Sequence, residues 1–203
     1  MQDSLVNQLI TFARMAYNRK LVSGTGGNFS VRVIPDKMLI TGSGISLGDT
    51  NEQNLITVDL AELSWESASG VIPSKEYTFH AAILQRRPDI EAVLHVHPPY
   101  ATGYAALCQD IPMVTDAAFK QPPIPRVPFA PSGSKDLRDY VIQALEAHPG
   151  CKALLLEQHG LVALGNSIPT AFYYADLIEE LAKIAFIAQS LRSLDHASTT
   201  GPS

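Results

Sequence analysis

The residues best placed to do chemistry are His95 and His97, one residue apart in the otherwise apolar run EAVLHVHPPY (Glu91–Tyr100). Alternate residues of a strand project to the same side. Both imidazoles should therefore leave one face, with Val93 beside them and Ala92, Leu94 and Val96 opposite. Burying two imidazoles without partners is expensive. They are either hydrogen-bonded core or surface residues, or neighbouring ligands of a tetrahedral metal ion, which binds imidazole nitrogen at about 2.0–2.1 Å. Two more residues favour the metal. His159 lies in EQHG, at an expected strand-to-strand turn, and Glu76 falls in the first turn of the helix expected just before the histidine strand. Three imidazoles leave one coordination position for water or substrate. A nearby carboxylate can take that position or act as general base. His80, one helical turn after Glu76, either supports this group from behind or packs as a satisfied core residue. His148, before Pro149–Gly150, and His196, in the tail, read as surface residues.

These side chains need elements to hold them. Leu5, Leu9, Phe12 and Ala16 recur at helical spacing, so a first helix is expected, ending near Gly24. FSVRVI and MLIT read as strands around the turn PDK, followed by NLITVDL and LSW (Leu63–Trp65). A helix over PSKEYTFHAAILQRR should stop before Pro88. EAVLHV is the histidine strand, and PPYATGYAAL is helical after its prolines. The proline-rich stretch from Ile111 to Ser134 is the least regular. DLRDYVIQALEA is helical, and KALLLEQHGLVALG gives two short strands joined at Gln158–Gly160. Ile168 to Leu194 forms a long apolar-striped helix. No βαβ rhythm appears, which favours a mixed or antiparallel sheet covered by helices. One domain is expected over residues 1–203, with about 196–203 a flexible tail.

Two glycine-rich stretches, GTGGN (Gly24–Asn28) and TGSG (Thr41–Gly44), match neither the P-loop nor the dinucleotide fingerprint. Positions 29 and 47, where that fingerprint would need glycine, hold Phe29 and Leu47. Such turns still expose N–H donors to an anion. Asn28, Thr41 and Ser43 add side-chain donors, and Ser74 and Lys75 at a helix start add more, including a cation. Together with the metal set, they point to a phosphate pocket.

Composition narrows the alternatives. The 203 residues are 46% hydrophobic and 17% charged, with net charge −5. There is no basic stripe for nucleic acid. No apolar run approaches the roughly 18 residues of a membrane span. Cys108 and Cys151 lack metal-like spacing and read as reduced, buried residues. The N-terminus lacks the marks of a signal peptide, so the cytoplasm is the expected location.

The motifs GTGGNFSVR, LITGSGIS, PSKEYTFHAAILQRRPDIEAVLHVHPPYAT and LLLEQHGLVALG, in this order, resemble the class II aldolase/adducin family over roughly Leu5 to Leu191. The resemblance implies an α/β fold: three α/β/α layers around a central, mostly antiparallel mixed sheet. It also implies a homotetramer with zinc sites near protomer interfaces. It places zinc ligands at His95, His97 and His159, with Mn2+ or Co2+ as other candidate ions, and the catalytic carboxylate, also able to contact the metal, at Glu76. Phosphate contacts fall on Gly27, Asn28, Ser43, Gly44, Ser74 and Lys75. The implied reaction cleaves a ketose 1-phosphate such as L-fuculose 1-phosphate through a metal-stabilised enediolate. The products are dihydroxyacetone phosphate and an aldehyde such as lactaldehyde or glycolaldehyde. Departures from the pattern define the alternatives. The epimerase branch usually carries Asp where Glu76 stands. Asp116, in IPMVTD, occupies the position of the aldolases' proton-donating tyrosine, which leaves Tyr100 or Tyr104 as substitutes. Lys75, in SKE, resembles members that decarboxylate 3-oxo-tetronate 4-phosphates. A metal-free adducin-type interaction module and a zinc hydrolase are the other classes. The intact histidine set speaks against the first, and the phosphate-binding set against the second.

Overall fold

In the computed structural model, residues 2–67 and 69–199 are described. Their order is α1 (Gln2–Asn18), β1 (Asn28–Ile34), β2 (Lys37–Thr41), β3 (Leu55–Asp59), β4 (Trp65–Glu66), α2 (Tyr77–Arg86), β5 (Ala92–Val96), α3 (Pro99–Ala106), α4 (Asp116–Phe119), β6 (Arg126–Val127), α5 (Lys135–Ala147), β7 (Ala153–Leu156), β8 (Gly160–Gly165) and α6 (Ile168–Thr199). The strands form one sheet in the order β4-β3-β2-β1-β5-β8-β7-β6. All neighbours run antiparallel except β6 and β7.

Alternation along the central strands divides the core in two. Ala92, Leu94 and Val96 of β5 pack with Leu9, Ala13 and Ala16 of α1, Ala101 and Ala105 of α3, and Ala171, Phe172 and Ala175 of α6. Val93, one position out of phase, packs on the other face with Phe79 and Ile83 of α2 and Leu137 and Val141 of α5. Helices thus cover both faces of a mostly antiparallel mixed sheet, giving the three α/β/α layers the motifs imply.

Several boundaries differ from the expected ones, each for a local reason. α1 stops at Asn18, well before Gly24. Lys20 adopts a left-handed conformation (φ 60°). The amides of Lys20 and Leu21 return to the carbonyls of Tyr17 and Ala16, a C-terminal motif that a non-glycine residue can close. The expected strand Leu63–Trp65 is displaced to Trp65–Glu66, because Leu63 is itself left-handed (φ 55°) in a turn that the Asp59 carboxylate pins through the amides of Ala61 and Glu62. α6 continues to Thr199, so residues 196–199 of the expected tail have helical backbone, and 200–203 lie outside the described residues.

One carboxylate ties α6 to α3. The Glu179 side chain accepts from the Tyr100 amide at 3.0 Å and the Ala101 amide at 2.9 Å, two first-turn donors with no helical partner. Burial pushes its carboxyl above the usual range while these amides and Lys183 pull it back. Glu179→Ala should lower unfolding free energy by about 1–3 kcal/mol, since it strands two N–H groups. Glu179→Gln, which keeps an acceptor, should lose less. Urea titrations of the two variants check the order.

Candidate metal centre

The centre sits where three neighbouring strands end. His95 is the penultimate residue of β5, His97 lies just beyond the strand, and Asn28 of β1 is the cross-strand partner of His95. His159 comes from the turn between β7 and β8, on the other side of β5. That turn requires Gln158 in a left-handed conformation (φ 54°). It also requires the bare backbone of Gly160, where a Cβ would lie 2.5 Å from the Val96 carbonyl and 2.6 Å from the His97 ring. Glu76 is the capping residue one position before α2, not within its first turn.

The four side chains converge. The ligand nitrogens of His95, His97 and His159 lie within 4.8 Å of one another. His95 Nε2 is 3.0 Å from His97 Nε2 and 3.3 Å from Glu76 Oε2, and His159 Nε2 is 3.3 Å from Glu76 Oε1. A tetrahedral ion with bonds of about 2.0–2.1 Å holds its ligand atoms about 3.3 Å apart. These separations fall near that spacing, the two to Glu76 reaching different oxygens, and the three imidazole nitrogens converge as ligands of one ion do, so these donors fit a metal ion.

Protonation agrees with this. His95 Nδ1 lies 3.1 Å from the Leu161 carbonyl, so its proton belongs there and the Nε2 lone pair faces the cluster. Burial pushes the pKa of His95, His97 and His159 below the usual imidazole value, keeping the rings neutral and able to ligate. For Glu76 burial acts in the opposite direction, raising its pKa. The Ser132 hydroxyl and the Asn28 amide, each donating to it, pull the other way and favour the ionised carboxyl. Ser132 Oγ donates to Oε1 and Asn28 Nδ2 to Oε2, each at 2.7 Å.

A cavity of about 490 Å3 opens on this cluster. Of the residues expected to hold phosphate, Gly27, Asn28, Gly44, Ser74 and Lys75 line it, and Lys75 is the only Lys or Arg among the lining residues. Ser43 is not in the lining, and its amide donates to the Ile72 carbonyl. Gly27 (φ 76°) lies so close to β5 that a Cβ would meet the His95 carbonyl at 2.8 Å. The candidates for proton donor stand elsewhere within the chain. Asp116 is exposed and paired with Lys120, while Tyr100 and Tyr104 line a separate hollow beside Phe186 and Gln189. His148 is exposed at the end of α5, and the His196 side chain lies outside the described residues.

Ser132 was not singled out in the sequence reading. The only signal was its place in PSGS. Gly133 (φ 76°) lets that loop press on the Lys75 backbone, where a Cβ would sit 2.8 Å from the Lys75 carbonyl.

Residues 7–186 match the class II aldolase and adducin N-terminal domain. The chain belongs to this family. It is 31% identical over 188 residues to an L-fuculose phosphate aldolase of Methanococcus maripaludis, covering 92% of this chain and 99% of that one. It is 36% identical over 184 residues to a 5-methylthioribulose-1-phosphate/5-deoxyribulose-1-phosphate aldolase of Rhodospirillum rubrum, covering 89% and 79%. The solved structure of an L-fuculose 1-phosphate aldolase superposes with a TM-score of 0.84 at 29% identity, covering 93% of this chain and 87% of that one. The protein is a lyase of the class II aldolase type, a metal-dependent class, and the histidine cluster is where its donors fit an ion.

The tight Gly160 turn gives a direct check on the geometry. Gly160→Ala must displace His97 or the β7–β8 turn, so zinc affinity measured by competition with a chelator should fall about 10–100-fold. Gly150→Ala, where a Cβ meets nothing within 4 Å, should bind as the unaltered protein does.

Proposed function

We propose that the protein is a zinc-dependent aldolase that cleaves a ketose 1-phosphate of the L-fuculose 1-phosphate kind into dihydroxyacetone phosphate and an aldehyde. The observation that carries this reading is the convergence of three imidazoles, with the Glu76 carboxylate against them, on a polar cavity. The names of the three relatives described above, aldolases of phosphorylated ketoses, support it.

Each part of the chain has a role in this reading. His95, His97 and His159 hold the ion, with zinc preferred for the all-nitrogen set over Mn2+ or Co2+. Bound there, the ion supplies Lewis acidity for the negative charge that develops on the substrate's oxygens. Glu76 moves the proton at the carbon released when the C–C bond breaks, and it can also contact the metal. Asn28 and Ser132, each donating to one of its oxygens, keep that carboxylate ionised and aimed. Gly27, Asn28, Gly44, Ser74 and Lys75, which line the cavity, take the phosphate through turn amides, a hydroxyl and one ammonium. The working protein is a cytoplasmic homotetramer with sites near its interfaces. The exposed Phe186, Ile187 and Leu191 on α6 supply apolar surface for such contacts.

Lys75 favours a second reading, decarboxylation of a 3-oxo-tetronate 4-phosphate, because it lines the cavity one residue from Glu76. The same carboxylate would then handle the proton, with CO2 as the fragment lost. A panel of fuculose, rhamnulose, ribulose and 5-deoxyribulose 1-phosphates plus a 3-oxo acid phosphate separates the two readings: triose phosphate marks the aldolase, CO2 the decarboxylase. Zinc-replete protein that releases neither from any of them would sink both.

With an active substrate in hand, chelation should abolish turnover and added zinc restore it. His95→Ala should lower activity at least about 100-fold with loss of bound zinc. Glu76→Gln should lower kcat about 10^2–10^4-fold while zinc stays bound. Zinc content and initial rates on the same samples decide between losing the metal and losing the base.

A further inference from the structure

Behind the carboxylate, the Asn28 amide leads to two buried polar groups, His80 and Ser30, that the reaction as described does not use. Glu76 Oε2 accepts from Asn28 Nδ2 at 2.7 Å. Asn28 Oδ1 meets His80 Nε2 at 2.5 Å, and His80 Nδ1 meets Ser30 Oγ at 2.7 Å. His80 and Ser30 have no exposed surface, Asn28 retains 4% and Glu76 3%. Two elements supply all four residues: Asn28 and Ser30 alternate along β1, and Glu76 and His80 lie one turn apart at the head of α2.

The chain has a single consistent polarity. A carboxylate only accepts hydrogen bonds, so Asn28 must turn its Nδ2 towards Glu76 and its Oδ1 towards His80. Oδ1 also only accepts, so His80 must carry its proton on Nε2. The Nδ1 lone pair is then left for the Ser30 hydroxyl to donate into. Reversing any member would set two acceptors or two donors against each other in a space without water. Burial pushes His80 down to about 3, in keeping with a neutral ring that has one proton to place.

We propose that His80 is a positioning residue: its Nε2–H, held by a ring whose other nitrogen accepts from Ser30, anchors the far end of the Asn28 amide so that Nδ2 stays against Glu76. This rests on the role given above to Glu76. Without His80, the far end of the Asn28 amide has no donor, and the amide is free to swing away from the carboxylate. A group that must take up and release a proton at a fixed place would then lose both its aim and its donor.

Three variants and two readouts test this. His80→Met fills the space without a donor, His80→Gln keeps an N–H that can reach Asn28, and Ser30→Ala removes the hydroxyl that donates into Nδ1. His80→Met should lower kcat about 10–100-fold with bound zinc unchanged, and the fall in kcat should exceed any rise in KM that Asn28's part in holding phosphate brings. His80→Gln should recover most of the loss. Equal loss in the two His80 variants, matched by equal falls in thermal midpoint, would reduce His80 to a packing residue and overturn the proposal. Full activity in His80→Met would do the same. The second readout needs no substrate. The imidazole 15N shifts of His80 should report the Nε2–H tautomer in the unaltered protein and in Ser30→Ala, with the Nδ1 shift moving in Ser30→Ala as that nitrogen loses its donor. An Nδ1–H ring in the unaltered protein would overturn the proposal whatever the turnover. A panel without any active substrate would count against the proposed reaction alone.

Discussion

The structure depends on an electrostatic conflict held at one point. His95 and His159 bring imidazole nitrogens to 3.3 Å from the two oxygens of a buried carboxylate, and His97 stands 3.0 Å from His95. With the His95 proton taken by Leu161, its Nε2 lone pair and the acceptor-only carboxylate oxygen face each other without a donor between them. Left alone, such a group would relax apart or take up protons. Burial opposes protonation of the rings, and the surrounding backbone opposes separation. A cation resolves the conflict, and its Lewis acidity is what cleavage of a phosphorylated ketose calls for.

The scaffold opposes separation because the donors come from the middle of the sheet. β5 is hydrogen-bonded on both sides, to β1 and β8, and its apolar residues are shared between two cores. Phe79 of α2 lies edge-on to the His95 ring, with centroids 5.8 Å apart. The glycines do the complementary work of removing bulk. Gly27, Gly160 and Gly133 each stand where a side chain would strike a neighbouring backbone carbonyl, and each lets one loop close on the centre.

Much of this was legible in the sequence, and what was not follows a physical pattern. The histidine pair could be read because strand alternation is a local rule, and Val93 and Leu94 do face opposite cores as that rule requires. The strand-turn-strand around His159 was legible because Gly160 marks the turn. Glu76 was close, displaced from the helix's first turn to its cap. Chain reversals closed by residues other than glycine were not legible: Lys20 and Leu63 adopt left-handed conformations that no composition rule picks out. Ser132 was missed for another reason. It reaches Glu76 from 56 positions away through a proline-rich loop, and nothing local records that approach. The direction of the Asn28 amide is a property of the whole buried chain, so no single residue announces it.

The donors of the centre also come from well-separated parts of the polypeptide: the cap of α2, the end of β5 and the β7–β8 turn. An ion seated among them is therefore a cross-link as well as a reagent, closing loops that an unfolded chain leaves open. Anything bound only to the native state adds its own free energy to the fold, about 4 kcal/mol at a thousandfold excess over its dissociation constant. For this architecture, metal supply therefore bears on protein lifetime: without the ion, the chain forgoes that free energy and opens more often to proteolysis.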